Sequence, residues 1–170
     1  LAVTGPGRGD GKTLTALNLA VSLAGNRTRT VLLVDLDLRA PKLHRYLGLP
    51  RQPGIGDYLL GDVPLSSCLV HPAIDGLVVL PAGRAPGRAS SDLLASARMI
   101  ALAAELKQRY ADRVVIYDLP PLLSADDAIV FLRHVDCCLL TVSYGHTRKR
   151  DFQQCLELLE GCAVVGTVLN

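Results

Sequence analysis

The chain has no tryptophan, two phenylalanines and one methionine among 170 residues. A core without large aromatics has to be built from Leu, Val, Ile and Ala, the composition of a sheet covered by helices. A charge excess is also missing: 18 Lys and Arg against 16 Asp and Glu leave a formal net charge of +2. That balance, with its basic residues scattered, argues against a nucleic-acid footprint. The nearest basic cluster, "HTRKRD" at His146 to Asp151, reads as a solvated helix entrance. No apolar run approaches the roughly 20 residues of a bilayer-spanning helix, and no charged-then-apolar leader precedes a cleavage site. A soluble segment with no membrane insertion of its own is expected. Five cysteines, Cys68, Cys137, Cys138, Cys155 and Cys162, show neither CxxC spacing nor histidines placed for a metal. Cys137 and Cys138, inside an apolar run, read as small hydrophobes, and a reducing, cytoplasmic compartment is expected.

What is present is a chain 49% hydrophobic and 20% charged, enough to bury one core, so a single domain over residues 1–170 is expected. Both ends read as cut, because "LAVTG" resembles a strand in progress and "VVGTVLN" another strand. Short apolar runs, "LAVT", "VLLVDLDL", "GLVVLPAG", "RVVIYDLP", "CCLLTVSY" and "AVVGTVLN", alternate with helical patterns. Several are apolar on successive residues, the mark of strands buried on both faces. The fold class predicted is α/β, a mostly parallel sheet with helices on both faces.

Helices are predicted over Lys12–Ala24, Ser96–Ala111, Ala125–Val135 and Lys149–Glu160. In the first, Leu17, Ala20, Val21 and Ala24 fall at i, i+3, i+4 and i+7 and form an apolar face. Pro and Gly crowd residues 39–75, predicting short helices and turns there, and "PAGRAPGRASSD" reads as a second irregular stretch.

The stretch "TGPGRGDGKTLTA", Thr4 to Ala16, places four glycines and a Lys-Thr pair between a strand and a helix. A phosphate cradle needs that order: glycines to turn backbone N–H groups inward, a lysine for the β and γ phosphates, a hydroxyl for magnesium, and a helix N-terminus with its partial positive charge. The usual GxxxxGK[ST] spacing puts Pro6 where its first glycine belongs, with Gly5 and Gly7 on either side. A glycine-rich turn capping a helix is the competing explanation.

Acids elsewhere favour the cradle. Asp35 and Asp37 end the "VLLVD" run, two residues apart on a strand and so expected on one side of it. Carboxylates at the carboxyl ends of parallel strands sit where α/β proteins bind ligands, and two together need a cation or a proton. The alternative is a turn in which Asp37 pairs with Arg39. Asp118 follows "RVVIY" in the same way, as a metal-ordering acid or as a strand-end cap.

Together, "GDGKT", "VLLVDLDLRAPKLHRYLGL", "LPAGR", "VVIYDLPP" and "VVGTVLN" resemble, in order and over essentially the whole chain, the bacterial tyrosine kinases of capsular and exopolysaccharide synthesis, relatives of the MinD and ParA P-loop ATPases. The resemblance implies a P-loop NTPase fold, with ATP and Mg2+ as cofactors. It implies that Arg8, Gly9, Asp10, Gly11, Lys12, Thr13 and Leu14 wrap the nucleotide, and that Asn170 contacts adenine. It makes Lys12, Asp35, Asp37 and Asp118 catalytic, and Thr13, Asp35 and Asp118 the metal residues. Arg8 and Asp10 stand where the family often has Pro and Glu. Gly7 stands where MinD-type ATPases carry a second lysine, which favours the kinase branch.

The implied activity is autophosphorylation of a tyrosine-rich carboxyl tail in the control of polysaccharide synthesis and export. Implied partners are a transmembrane polysaccharide co-polymerase acting as activator and further copies of the chain in a ring-like homo-oligomer, at the inner face of the membrane. Tyr46, Tyr58, Tyr110, Tyr117 and Tyr144 are dispersed, so the acceptor is expected beyond Asn170. The alternative is a nucleotide-dependent switch that binds an assembly partner without phosphorylating tyrosine, and a small-molecule kinase is a weaker third reading.

Overall fold

In the computed structural model, residues 1–26, 29–84, 90–108, 112–124 and 126–170 are described. Six strands, β1 (Ala2–Thr4), β2 (Thr30–Asp35), β3 (Leu77–Leu80), β4 (Arg113–Asp118), β5 (Cys137–Val142) and β6 (Ala163–Leu169), form one sheet in the order β3-β2-β4-β1-β5-β6. Every pairing within it is parallel. Parallel neighbours need crossovers, and the helices α1 (Lys12–Ala24), α2 (Leu43–Tyr46), α3 (Ile55–Leu60), α4 (Ser90–Leu94), α5 (Ala97–Gln108), α6 (Asp127–Leu132) and α7 (Lys149–Leu158) lie within those connections.

Successive strand residues divide between two cores, which is why the runs are apolar throughout instead of alternating. On one face Val3, Val31, Leu33, Val79 and Ile116 meet Ala16, Ala20 and Ala24 of α1. On the other, Ala2, Leu32, Val34, Leu80, Tyr117 and Leu140 meet Met99 and Leu102 of α5, Phe131 of α6 and Cys155 of α7. Tyr117 and Phe131 pack edge to face at 4.8 Å between ring centres, fixing α6 on β4. The parallel sheet with helices on both faces is as the sequence predicts.

Several details differ. The buried stripe of α1 runs through Ala16, Ala20 and Ala24, while Val21 is exposed and Leu17 only half buried. The cause is at the N-terminus: Lys12 and Thr13 line a cleft, which sets the rotation of the helix and leaves the alanines against the sheet. Strand β2 ends at Asp35, so Asp37 lies beyond the regular strand and period-two geometry does not apply to it. Part of the second irregular stretch is helical, as α4, and Ser96–Ala111 narrows to α5, with residues 109–111 outside the described part. Likewise Ala125–Val135 narrows to α6, with Ala125 outside the described part, and Lys149–Glu160 to α7. Residues 39–75 hold short elements, α2, α3, a 3-10 turn at Leu65–Ser67 and a single antiparallel bridge from Val70 to Val79, as their Pro and Gly content predicts.

"HTRKRD" forms the exposed entrance to α7. All five cysteines are free. Among the described residues no helix is long and apolar enough to cross a membrane.

Candidate functional site

The carboxyl ends of β1, β2 and β4 converge on a cleft of about 200 Å³ lined by Arg8, Gly9, Gly11, Lys12, Thr13, Leu14, Asp37, Ala40, Lys42, Tyr46 and Pro121. The loop after β1 owes its shape to glycine. Gly9 and Gly11 have φ of 87° and 84°, a region L side chains disfavour. Asp10 supplies a cross-brace: its carboxylate accepts the Gly7 N–H at 2.5 Å, closing the loop on itself. The turn missing from the Pro6 position is thus made by Gly7 to Gly11, and Pro6 is buried where its carbonyl accepts the Leu123 N–H at 3.3 Å.

Lys12, the first residue of α1, is 6% exposed and donates from Nζ to the Gly7 carbonyl at 2.6 Å. Burial lowers its pKa, and the Asp10, Asp118 and Asp37 carboxylates oppose that effect. Asn170, at the end of β6, donates from Nδ2 to the Asp10 carbonyl at 3.4 Å and lies directly over Gly11. The structure therefore brings Asn170 to the phosphate loop.

The acids divide into three situations. Asp35 is fully buried, with Oδ1 accepting the Asp37 N–H and Oδ2 the Leu43 N–H, both at 3.2 Å. It braces the segment that follows β2. Asp37 is half-buried, lines the cleft, and accepts the Ala40 N–H at 3.1 Å. It does not pair with Arg39, whose guanidinium reaches Asp127 instead. Asp118 is 1% exposed, and neither of its oxygens meets hydrogen-bond geometry with a partner, although the Thr13 hydroxyl is close enough to favour its charged form. It stands beside Asp35 in the β2–β4 register. Burial pushes its carboxyl up to about 7 and the Asp37 carboxylate adds to this, while the Thr13 hydroxyl and the Lys12 and Lys42 ammonium groups oppose it. Asp35 is pushed up as well, by burial first and by Asp118 next, against the two backbone N–H groups.

Two adjacent buried carboxylates with one left unpartnered call for a proton or a cation. Among the described residues no group of three or more His, Cys, Asp or Glu could hold a metal by itself. A hydroxyl on Thr13, an unpaired carboxylate on Asp118 and a cleft walled by Lys12, Lys42 and Arg8 instead suit a hard divalent ion bound jointly with phosphate oxygens and water.

The chain is similar in sequence and fold to known proteins. Residues 1–136 match the CobQ/CobB/MinD/ParA nucleotide binding domain family. The chain is 33% identical over its whole length to the tyrosine-protein kinase ptk of Acinetobacter johnsonii, of which it covers 23%. It is 31% identical over its whole length to the putative tyrosine-protein kinase CapB of Staphylococcus aureus, of which it covers 74%. This chain belongs to the bacterial tyrosine-protein kinase family. The kinase domain of the Escherichia coli tyrosine kinase ETK superposes with a TM-score of 0.91 at 30% identity, covering 99% of this chain and 66% of that one. Cobyrinic acid a,c-diamide synthase from Mycobacterium smegmatis, solved with a bound ATP analog and magnesium, superposes at 0.78 with 26% identity, over 99% of this chain and 72% of that one. At family level, then, the fold is a P-loop fold that binds nucleotide and magnesium. The chain spans about a quarter of the length of relatives such as ptk.

Within this chain of the tyrosine-protein kinase family, three features escape the sequence patterns. Lys42 lines the cleft from a turn that its "RAPK" context marks only as irregular. The partner of Asp10 is its own loop. Arg39, Ser90 and Asp127 meet across three separate segments.

Proposed function

We propose that this chain is the catalytic domain of an ATP-dependent protein-tyrosine autokinase that regulates capsular or exopolysaccharide synthesis and export. In this reading it works as a homo-oligomer at the inner face of the cell membrane, activated by a transmembrane polysaccharide co-polymerase, and its acceptor tyrosines lie outside residues 1–170. One observation carries the catalytic part: the buried Asp118 carboxylate, with both oxygens unpartnered, beside the Thr13 hydroxyl and the Lys12 ammonium.

Each residue has a role that follows from its surroundings. The loop N–H groups and Lys12 bind the phosphates, where fixed charges cost no reorganisation during reaction. Thr13 and Asp118 are the residues that would hold Mg2+. Mg2+ bound there supplies charge neutralisation for the β and γ phosphates. Asp35 holds the backbone at Asp37 and Leu43, and so acts on the metal and the acceptor through that segment. Asp37 accepts the proton of the incoming tyrosine hydroxyl, whose pKa of about 10 makes it a weak nucleophile unaided. As the tyrosine oxygen bonds to the γ phosphorus, the bond to the bridging oxygen breaks and ADP leaves.

The test is to incubate the intact protein and its activator with Mg-ATP and to map phosphotyrosine by antibody and mass spectrometry. The wild type becomes labelled. Lys12→Met falls by roughly 10²-fold or more with an unchanged circular dichroism spectrum. Wild-type protein that hydrolyses ATP and carries no phosphotyrosine replaces this reading with the switch, and a fully active Lys12→Met variant removes the assignment of the loop.

A further inference from the structure

Asp127, the first residue of α6, is fully buried, and so is Ser90, the first residue of α4. Arg39 reaches both from the segment after β2. Its Nε donates to Asp127 Oδ2 at 2.9 Å and to Ser90 Oγ at 2.8 Å, and its second nitrogen donates to Asp127 Oδ1 at 2.7 Å. The Ser90 hydroxyl in turn donates to Asp127 Oδ2 at 2.5 Å. Both oxygens of a buried carboxylate are thus held by a planar two-pronged donor, a geometry that fixes direction as well as distance.

The position of this cluster gives it a use. Arg39 sits in a tight turn in which the Ala40 N–H donates to both the Asp37 carbonyl and the Asp37 side chain. Fixing the Arg39 guanidinium therefore fixes the turn that presents Asp37. At the other end, α6 follows the segment that leaves Asp118, and that segment is tied to the phosphate loop by Leu122 N–H to Gly5 O at 3.0 Å and Leu123 N–H to Pro6 O at 3.3 Å. The Leu36 N–H donates to the Asp118 carbonyl at 2.9 Å, closing the circuit between β2 and β4. We propose that Arg39, Asp127 and Ser90, none of which lines the cleft, form a positioning clamp that sets Asp37 relative to Asp118 and Thr13. The inference rests on the kinase reading for its effect on phosphoryl transfer, and on geometry alone for its effect on the turn.

The experiment uses the full-length protein with Arg39→Lys, Asp127→Asn, Ser90→Ala and the Arg39→Lys/Asp127→Asn pair. Lysine keeps the charge and loses the fork, so it tests direction without leaving the buried carboxylate without a cation. The expected result is a fall in kcat of about 10-fold to 100-fold for Arg39→Lys and for Asp127→Asn, as misplacement by a fraction of an ångström to an ångström would give. Nucleotide Kd should stay within about 2-fold, because the phosphate contacts are untouched. The double variant should be no worse than the poorer single one, the signature of groups acting as a unit, and Ser90→Ala should be milder because the fork remains. Amide hydrogen exchange gives a readout free of catalysis: Ala40 and Leu43 should exchange about 10-fold or more faster, with α1 and the central strands unchanged. Unchanged exchange at Ala40 and Leu43 overturns the clamp. So does a loss of kcat matched by equal losses in nucleotide affinity and in protection across the whole sheet. If the wild type forms no phosphotyrosine, the kinase reading fails by itself, and the exchange data still decide the clamp.

Discussion

Replacing Asp118 with asparagine should stabilise the ligand-free protein while removing its response to magnesium. The carboxylate is 1% exposed, has no hydrogen-bond partner, and has its pKa pushed from 3.8 to about 7 by burial and by the Asp37 carboxylate. A folded-state pKa above the unfolded one means that the folded state binds the proton more tightly. Ionisation therefore destabilises the fold progressively as pH rises from about 4 to about 7, and fully above that. The rise corresponds to a ceiling of about 4 kcal/mol. The buried asparagine amide carries its own desolvation cost of about 1–3 kcal/mol, so the net gain at pH 8 should be at most about 1–3 kcal/mol. For a chain of this length that gain is at most about 2–12 °C in Tm, absent near pH 4. With Mg2+ and nucleotide the order reverses: the wild type gains stability by mass action and the variant gains much less. Thermal melts at pH 4.5, 6 and 8, with and without Mg-ADP, read all of this. A variant less stable than wild type at pH 8 without ligand, or one with the full Mg-ADP shift, would refute the reasoning.

Other consequences can be checked on the same protein. A Cβ added at Gly11 would sit 1.6 Å from Asn170 Nδ2, at a φ of 84°. Gly11→Ala should therefore destabilise by about 1–2 kcal/mol from backbone strain plus the displaced Asn170, whereas Gly9→Ala, which meets nothing within 4 Å, should show the strain alone. In an Asn170→Ala background the two should become equal by chemical denaturation, and a persistent difference would show that the Asn170 contact is not its source. Burial pushes the Cys138 thiol up to about 12 and the Cys155 thiol to about 11. At pH 8 their thiolate fractions are on the order of 10⁻⁴ and 10⁻³, and Cys68 is fully buried with its thiol pushed up as well, so native protein should react with a thiol reagent first at half-buried Cys137 and then at Cys162, whose pKa burial also raises. Five fast thiols without denaturant would contradict this burial.

The sheet was legible in the sequence because its signal is local. Runs such as "VLLVD" and "VVIYD" are apolar on both faces of their strands, and only a sheet covered on both sides buries Val31 and Leu32 together. The loop was legible because Gly9, Gly11, Lys12 and Thr13 are consecutive enough to define one turn and one helix start. What was not legible depends on where strands stop and on contacts between distant segments. Asp35 and Asp37 look equivalent at a spacing of two, yet the strand ends between them, so one braces backbone and the other faces the cleft. Arg39 offers Asp37 as an obvious neighbour in sequence, and the fold gives it a fully buried acid on α6 instead. Of the apolar face predicted for α1, Ala20 and Ala24 are buried against the sheet and Leu17 packs on it, while Val21 faces outward and Ala16, which the pattern left out, completes the stripe.

The placement of β1 has a consequence for biosynthesis. This first strand hydrogen-bonds only to β4 and β5, through residues such as Tyr117 and Cys138 from the last third of the chain. On a translating ribosome, at roughly 5–20 residues per second, its backbone has no sheet partner for on the order of ten seconds after it emerges. During that interval β2 and β3 can pair with each other, but the glycine loop has no wall to rest on. Nucleotide cannot recruit the nascent segment into shape early, and chaperone cover for the apolar β1 strand matters most in that interval.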